Sequence, residues 1–391
     1  MNESFITEIK LNNKEILNDL YIPLSKDEKK HLIITGKNGS GKTTLIKYIK
    51  DYLREKLDVM DEDTPKFASE RDMKLIFNEP PDNEEIDNVI VNIINSKVAK
   101  EAYAKGEFIV CYLDSMRGLE MDVADGAEKV ILEDRYNFKE KPYRLLIKYM
   151  IHLKTMQAFA KNENDTECDK VVSEWFSRFE NVLKKLWDCS VFNFKYDYRR
   201  YDFKIYENNK EPYNLFQLSD GYLSVLRIFS DIMMRMERNW LSKGNLISTY
   251  DLKGIVLIDE IETHLHIALQ KSILPCLIEI FPNIQFIVST HSPYVLNSVD
   301  NAVIYDLENH TCYDDFSMYS AEEISESYFD AEKFSKHVAK TIEEYKELLV
   351  KQDATNEEKA KRASLRHKLN SLPRNIKNEL FEEFDKLEKR D

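Results

Sequence analysis

Three closely spaced glycines follow a short apolar run near the start of the chain. The run occupies 31–35, and the glycines are Gly36, Gly39 and Gly41. The chain has only 9 glycines among 391 residues, so this cluster marks a backbone that needs unusual conformations. Glycine lets successive N–H groups turn toward one anion, and a helix that begins just after them adds the positive end of its dipole. The pattern predicts a phosphate-binding loop between a strand and a helix.

Each residue of this loop has an expected partner on a nucleotide. Lys42 is expected to reach the β- and γ-phosphates of ATP, and the Thr43 hydroxyl to ligate Mg²⁺. The strand, the loop and a helix predicted over 43–53 would begin an α/β nucleotide-binding domain. The predicted nucleotide-binding residues are Gly36, Lys37, Asn38, Gly39, Ser40, Gly41, Lys42, Thr43 and Thr44.

A second apolar run, 254–258, ends in the acidic pair Asp259 and Glu260. A buried strand that ends in this way delivers carboxylates to the edge of a sheet where phosphates can bind. Asp259 is expected to hold Mg²⁺, and Glu260 to polarise the water that attacks the γ-phosphate. The alternative is a buried strand that ends in two solvated acids.

Two further segments place polar residues at a helix start and at a strand end. Ser219, Asp220 and Gly221 open a predicted helix, whose first N–H groups can bind an anion or simply be capped. The apolar run 286–288 leads into Ser-Thr-His-Ser-Pro, where His291 is expected to contact the γ-phosphate or the attacking water.

Composition limits the classes of protein to which the chain can belong. Apolar residues make up 43% and charged residues 32%, which is typical of a globular chain. The sequence lacks an apolar run of the roughly 18 to 20 residues needed to span a bilayer, and it does not start like a signal peptide. The 5 cysteines are scattered without Cys-x-x-Cys spacing, which favours reduced thiols. We therefore predict a cytoplasmic protein that does not bind membranes.

The net charge of -14 argues against a general nucleic-acid binder. A local basic patch could still contact DNA. One candidate is a predicted strand pair, 192–196 and 201–206, which carries tyrosines and lysines and is joined across Arg199 and Arg200. Such a pair can bind nucleic acid through phosphate contacts and stacking, or it can be an ordinary solvated sheet edge.

The remaining sequence predicts strands at both ends of the nucleotide-binding region and helices between and after them. The alternation near the N-terminus predicts short antiparallel strands, and few helix breakers interrupt 126–188. A helix with one apolar stripe is predicted near the C-terminus from the spacing of Phe334, Val338, Ile342, Tyr345 and Leu349. We predict four parts: an N-terminal lobe over 1–125, a helical insertion over 126–190, a C-terminal lobe over 191–310 and a helical tail over 311–391.

The order of these motifs resembles that of ABC-type ATPases. The overcoming-lysogenization-defect (OLD) and SMC-like branch is the most similar, because 259–266 look like its extended Walker B motif. The resemblance implies a mixed sheet with an antiparallel part, Glu260 as catalytic carboxylate and His291 as switch histidine. It also implies that Ser219, Asp220 and Gly221 form a signature motif that contacts ATP bound by the opposite subunit of a head-to-tail dimer.

The chain departs from the family pattern in several places. It has no clear Q-loop glutamine, and Arg117 is a candidate replacement. His264 and His266 form either a metal pair or a helix start with exposed or packed histidines. Nothing after residue 300 has the acidic pattern of the Toprim nuclease domain that continues OLD nucleases.

These features predict the ATPase subunit of a two-component anti-phage defence system, similar in layout to PARIS-type, Septu and retron-associated ATPases. A separate effector, a nuclease or a toxin, would then carry out the damage. One alternative is a stand-alone DNA-repair or DNA-binding ATPase of the SMC kind. Another is a transporter ATPase subunit, against which the long insertion argues.

Overall fold

The structure is a computed structural model of the chain. It describes residues 3–11, 17, 20–59, 89–115, 120–187, 192–207, 211–237, 250–313, 316, 318–327, 336–351, 355–370, 380–381 and 384. They belong to two compact units, Met1–Ser320 and Ala321–Asp391. The strands are β1 Ile6–Leu11, β2 Leu20–Pro23, β3 His31–Thr35, β4 Val89–Ile93, β5 Phe108–Leu113, β6 Phe192–Asp197, β7 Asp202–Glu207, β8 Tyr213–Asn214, β9 Lys253–Ile258, β10 Ile284–Ser289, β11 Ala302–Asp306 and β12 Thr311–Tyr313.

The helices of the first unit lie between these strands, and those of the second unit end the chain. The first set is α1 Lys42–Lys56, α2 Ser96–Ala104, α3 Leu146–Glu163, α4 Thr166–Leu186, α5 Asp220–Met236, α6 Ile267–Ile280 and α7 Pro293–Leu296. The second set is α8 Ala321–Ser327, α9 Lys336–Val350 and α10 Asn356–Asn370. Within the described part of the chain, every helix is too short or too polar to cross a bilayer.

A six-stranded sheet forms the centre of the first unit, in the order β12-β11-β3-β10-β9-β5. Its strands are parallel except for the edge pair of β11 and β12. Strands β3 and β10 are buried along their whole length, which explains why they are continuous apolar runs rather than alternating ones. The pairing of Ser289 with Ile34, and of Val288 with Ile258, brings the carboxyl ends of β3, β9 and β10 to one edge of the sheet.

One face of this sheet packs against α1 and a smaller antiparallel sheet of order β2-β1-β4. The side chains of Leu45, Ile49 and Leu53 from α1 are buried in the shared core. Gln285 on β10 joins the two sheets, because its amide accepts a hydrogen bond from Ile6 N at 2.7 Å and donates one to Ile6 O at 3.0 Å. The predicted α/β class with an antiparallel β part is therefore confirmed.

The helical insertion begins later than the sequence predicted. Residues 126–141 are irregular, and helical structure starts with a 3-10 turn at Pro142–Leu145 that leads into α3. Glu237, which follows α5, accepts hydrogen bonds from Tyr149 at 3.1 Å and Trp175 at 2.8 Å. Arg235 donates to the carbonyls of Asn137 and Glu140. The stretch before α3 is held by this guanidinium, which is a tertiary contact that helical periodicity does not reveal.

The second unit is a small helical body. Helices α9 and α10 share a core in which Tyr345 packs on Phe384, with ring centroids 4.8 Å apart. The predicted stripe through Val338, Ile342 and Leu349 lies in or against this core. Phe334, the first residue of the predicted stripe, lies outside the described residues. The division into parts at 125, 190 and 310 stays a prediction.

Candidate functional site

The glycine-rich loop after β3 has the backbone that its sequence predicts. Gly36, Gly39 and Gly41 have φ angles of 137°, 85° and 98°, a region that residues with a Cβ rarely adopt. A Cβ on Gly36 would lie 2.8 Å from Ser40 Oγ, so the turn also needs the missing side chain. The loop therefore closes tightly enough to direct backbone N–H groups toward one point.

Lys42 is the first residue of α1, and its side chain fills the inside of this loop. Its ammonium donates hydrogen bonds to Gly36 O at 2.8 Å and to Lys37 O at 3.1 Å. Burial lowers the pKa of Lys42, while the carboxylates of Glu260, Glu262 and Asp259 act in the opposite direction. The cation is thus held at the loop by backbone carbonyls and faces a group of acids.

The hydroxyl of Ser40 is buried and has no hydrogen-bond partner among the described residues. A buried polar group of this kind costs roughly 1–3 kcal/mol unless a ligand satisfies it. The orphaned hydroxyl, the glycine turn and the buried ammonium fit a bound phosphate chain. The role of the loop as a phosphate cradle stays a prediction, and these features are consistent with it.

The end of β9 meets the start of α1 through a network of short hydrogen bonds. Thr43 Oγ1 donates to Asp259 Oδ2 at 2.8 Å, and Ser289 Oγ donates to Asp259 Oδ1 at 2.6 Å. The N–H of Glu260 donates to Ser289 Oγ at 2.7 Å. A hydroxyl and a carboxylate side by side are the oxygen ligands that Mg²⁺ prefers. Thr43 and Asp259 therefore fit the predicted magnesium site.

Glu260 has a positive φ of 49°, which is unusual for a residue other than glycine. Its amide is held by Ser289, and its carboxylate accepts a hydrogen bond from Thr263 Oγ1 at 3.2 Å. Such strain of about 1–3 kcal/mol persists only where neighbouring contacts impose it, often at functional sites. Ser289 and Thr263 thus hold the main chain and the carboxylate of Glu260 in the loop after β9.

His291 lies beside the same loop, two residues beyond the end of β10. Its N–H donates to Glu262 Oε1 at 2.6 Å. Burial lowers the pKa of the His291 imidazole, the Lys42 ammonium lowers it further, and Glu262, Glu260 and Asp259 oppose this change. The structure therefore brings His291, Lys42 and three carboxylates together at the edge of the sheet where β3, β9 and β10 end.

The predicted signature residues Ser219, Asp220 and Gly221 lie at the start of α5, outside the hydrogen-bond network around Asp259. Ser219 and Asp220 are exposed, and the Ser219 side chain makes no capping hydrogen bond to α5. Gly221 is buried against the loop after β9, where a Cβ would lie 2.9 Å from His264 O. Ser224, one turn further, donates to Thr263 O at 3.3 Å. The start of α5 thus contacts the Walker B loop and presents Ser219 and Asp220 to solvent.

The other predicted loop residues have plainer surroundings. Lys37 forms an ion pair with Glu308 at 2.6 Å. Asn38 is exposed, and Thr44 is half-buried in the first turn of α1. His266 accepts a hydrogen bond from Leu269 N and so caps α6, while His264 is exposed. Arg117, the candidate Q-loop replacement, lies outside the described residues.

Two residues of the site received no role from the sequence. Ser289 bridges Asp259 and Glu260, and Glu262 holds the main chain of His291. The position of Ser289 at the end of an apolar strand could have indicated that it belongs to the site. Glu262 lies in a run of acids, where its partner cannot be identified before the strands are placed side by side.

The fold and the site together define a P-loop domain with the motif order of ABC-type ATPases. Residues 158–297 match the family model described as "AAA domain, putative AbiEii toxin, Type IV TA system". This stretch contains Ser219, Asp259 and His291, whereas the P-loop precedes it. This stretch is therefore similar to that AAA domain, and it makes up about a third of the chain.

The curated proteins similar to this chain carry the names of retron and Septu proteins. The chain is 42% identical over 105 residues to "Retron Ec83 probable ATPase" of Escherichia coli, covering 27% of this chain and 19% of that protein. It is 43% identical over 93 residues to "Septu protein PtuA" of Bacillus mycoides, covering 24% and 12%. A "Septu protein PtuA" of Bacillus thuringiensis is 26% identical over 310 residues, covering 75% and 70%. The first two matches thus span less than a fifth of each relative.

Among solved structures, the SMC head domain from Thermotoga maritima matches 77% of this chain and 94% of its own, at 14% identity and a TM-score of 0.36. A nucleotide-free ATP-binding cassette from an ABC transporter matches 78% of this chain and 87% of its own. Its identity is 17% and its TM-score 0.34.

Proposed function

We propose that the chain binds ATP with Mg²⁺ and hydrolyses it in the cytoplasm, as one subunit of a head-to-tail dimer. The observation that carries this proposal is the cluster at the end of β9. There the Thr43 hydroxyl lies 2.8 Å from the Asp259 carboxylate, beside a buried lysine that fills a glycine loop. A fortuitous glycine turn would not place a hydroxyl, an acid and an ammonium at one point.

Each residue of the site has a task in this proposal. Mg²⁺ and the triphosphate supply the charge neutralisation and the electrophilic phosphorus. Lys42 pairs with phosphate oxygens, and Thr43 and Asp259 would hold the metal. Glu260, fixed by Thr263, orients the attacking water and accepts its proton. His291, whose main chain is held by Glu262, contacts the γ-phosphate or the attacking water.

The dimer is proposed because the signature residues are exposed. Ser219 and Asp220 face solvent at the N-terminal end of α5, where the helix dipole favours an anion. Gly221 packs on the loop that carries Glu260. A second subunit that places its own nucleotide against Ser219 would complete two equivalent sites. ATP binding at one site would then be sensed at the Walker B loop of the other.

We further propose that this ATPase is one component of an anti-phage defence system and controls a separate effector, a nuclease or a toxin. The names of the relatives, retron ATPase and Septu protein, support this assignment. ATP would stabilise one state of the assembly, and a trigger or hydrolysis would shift it. The helices at 142–186 and after residue 320 offer surfaces for the effector.

A comparison of three proteins tests the ATPase. The wild-type chain, Glu260→Gln and the control Glu55→Gln are assayed for phosphate release, and the molecular mass of each in solution is measured with ATP. Glu55 is exposed in the last turn of α1, away from the glycine loop. We expect turnover in the wild type and the control, and a loss of roughly 100-fold or more in Glu260→Gln. That variant should also accumulate as the ATP-bound dimer. Equal turnover in all three proteins would remove Glu260 from the reaction.

Co-expression with the products of neighbouring genes tests the effector. A neighbouring nuclease or toxin is expected to co-elute with the tagged chain, and its activity should differ between the wild type and Glu260→Gln. An effector that neither binds nor responds would contradict the two-component proposal. The ATPase proposal would survive that result.

The β6–β7 hairpin favours a second candidate function, that of a DNA-binding ATPase. Lys195 lies directly opposite Lys204 on its outer face. Lys204 forms an ion pair with Asp197 at 3.7 Å, and the ammonium of Lys195 lies 5.0 Å from the centroid of the Tyr206 ring. Tyr198 is 66% exposed at the turn. The opposite face packs on α4, where Phe179 and Phe194 have ring centroids 5.8 Å apart. The outer face therefore presents lysines and exposed tyrosines, the residue types that phosphate contacts and base stacking use.

A salt series separates the two candidates. A DNA-binding ATPase should bind DNA more tightly with ATP, and its affinity should fall steeply as salt rises. The Lys195→Ala, Lys204→Ala double variant should reduce that slope. The absence of measurable DNA binding at low salt would leave the hairpin as a solvated sheet edge.

A further inference from the structure

Glu262 lies two residues after Glu260, in the loop that connects β9 to α6. Its backbone carbonyl accepts a hydrogen bond from Leu265 N at 2.9 Å, which closes a tight turn. This turn directs the Glu262 side chain toward the end of β10. There its Oε1 accepts the N–H of His291 at 2.6 Å. One carboxylate oxygen thus fixes the main chain at the switch histidine.

The other oxygen of Glu262 has a different environment. Oε2 is buried and has no hydrogen-bond partner among the described residues. An unsatisfied buried acceptor is unfavourable, and more so when it carries charge. Structures keep such a group where a partner arrives later or where the charge itself acts on a neighbour.

The Glu262 carboxylate also acts on the imidazole of His291, whose main chain it holds. It raises the pKa of His291 against the effect of burial, and it is the first of the three acids that do so, ahead of Glu260 and Asp259. Glu262 therefore fixes the main chain of the switch histidine and opposes the effect of burial on its side chain.

Anchoring alone does not require a charged residue here. Ser292 already donates to Gln270 Oε1 at 2.7 Å, and Thr290 N donates to Ile34 O at 3.0 Å. These contacts hold the main chain on both sides of His291. A neutral acceptor at position 262 would complete the anchoring without a buried, unpaired oxygen.

We propose that Glu262 is a positioning residue for ATP hydrolysis: one oxygen fixes His291, and the second receives a hydrogen-bond donor of the nucleotide-bound site, such as a water molecule. The proposal rests on the proposed ATPase function. Glu260 polarises the attacking water in that function, whereas Glu262 keeps the histidine and the hydrogen-bonded surroundings of this water in place.

Two substitutions separate the charge of Glu262 from its anchoring role. Glu262→Gln keeps an amide oxygen that can accept the N–H of His291, and Glu262→Ala removes both functions. Glu55→Gln is the control, because Glu55 is exposed in the last turn of α1, at the opposite end of that helix from the glycine loop. The measurements are kcat, KM, the dissociation constant of ATP, the thermal midpoint and the titration of His291 by NMR without nucleotide.

We expect Glu262→Gln to lower kcat by about 10- to 100-fold, because misplaced groups cost this much. Its affinity for ATP should stay within about 3-fold of wild type, since the phosphate cradle remains intact. Its thermal midpoint should be close to that of wild type, and the pKa of His291 should fall. The control should leave all five quantities unchanged.

Two results would overturn the proposal. If Glu262→Gln kept wild-type kcat while Glu262→Ala lost it, Glu262 would be an anchor only. If Glu262→Gln lost ATP affinity as strongly as kcat, it would belong to the binding site. A wild-type chain that binds ATP without turnover would instead contradict the proposed ATPase. The titration of His291 does not depend on turnover. If it is the same in Glu262→Gln as in the wild type, Glu262 has no electrostatic effect on His291, whether or not the chain hydrolyses ATP.

Discussion

The P-loop edge of the sheet and the start of α5 are both predicted to contact nucleotide, yet they are built in opposite ways. At the P-loop edge, Lys42 and Asp259 are buried. Lys42 donates to a carbonyl of the glycine loop, and Asp259 accepts hydrogen bonds from Thr43 of α1 and Ser289 of β10. At the start of α5, Ser219 and Asp220 are exposed, and the Ser219 hydroxyl makes no capping bond.

This difference shows which half of the site one chain can complete. A preorganised pocket binds its ligand without first ordering its own side chains. An exposed helix start offers a dipole and N–H groups but no enclosure, so it needs a second surface. The P-loop edge should therefore bind ATP in a monomer. The start of α5 should contribute to ATP hydrolysis only when two subunits associate.

The largest expected effect is at Lys42. Lys42→Ala should weaken ATP binding about 100-fold or more, equivalent to about 2.7 kcal/mol, because the buried cation of the loop is lost. Titration with a fluorescent ATP analogue measures this, with Lys47→Ala on the exposed side of the same helix as control. Ser219→Ala should bind the analogue as wild type does. If Lys42→Ala bound the analogue with wild-type affinity, the P-loop edge would not be the ATP-binding region.

Mixing two inactive variants tests the start of α5. Lys42→Ala and Ser219→Ala subunits should each lack turnover as homodimers. In a symmetric dimer, random mixing of the two should restore about a quarter of the wild-type sites, because a mixed dimer retains one intact pair. Phosphate release after mixing measures this. If the mixture stays inactive while each variant still dimerises, Ser219 does not act across subunits.

Gly221→Ala tests the contact between the two regions. A Cβ at this position would lie 2.9 Å from the backbone oxygen of His264, whereas a Cβ on Gly126 would meet nothing within 4 Å. We expect Gly221→Ala to destabilise the fold by about 1–3 kcal/mol through overpacking, and Gly126→Ala to be near neutral. Urea unfolding measures both. Equal stabilities would show that the loop can move away from α5 at no cost.

A last prediction concerns His31, at the start of the strand that leads into the P-loop. Burial, assisted by Lys29, lowers the pKa of His31 to about 3, and its Nδ1 accepts a hydrogen bond from Phe286 N at 3.1 Å. The unfolded chain binds a proton below its ordinary pKa of about 6.5, and the folded chain does not. The free energy of unfolding should therefore fall by about 1.4 kcal/mol per pH unit below that value.

His31→Asn keeps an acceptor for Phe286 and removes the titration. Its unfolding free energy should change less than that of wild type between about pH 6 and about pH 5. His367→Gln, at an exposed histidine, should keep the wild-type slope. A wild-type slope in His31→Asn would mean that other groups control the acid stability of this region.

The main sheet was predictable from the sequence because its strands are unusual in composition. Strands β3, β9 and β10 are continuous apolar runs, and each ends in polar residues. Strand β12 and helix α2 were not predicted, because neither has a strong apolar period. The low number of helix breakers predicts a helix over 126–141, whereas the guanidinium of Arg235 holds this segment in an irregular path.

The roles of single residues in the site divide in the same way. Lys42, Thr43 and Asp259 were assigned from spacing alone, and the structure brings Thr43 and Asp259 into hydrogen-bond contact. The contacts of Ser289 and Glu262 were not accessible from spacing, because they depend on the register between β9 and β10.

The sequence by itself determined the phosphate loop and the acidic strand end, because their chemistry depends on residues that are neighbours along the chain. Only the tertiary structure decided what those groups contact: Ser289 between Asp259 and Glu260, Glu262 on His291, and Gly221 on His264. These pairs are separated by some 30 or more residues. The register of parallel strands and the packing of helices bring these residues into contact. A local sequence pattern cannot predict contacts between residues so far apart in the chain.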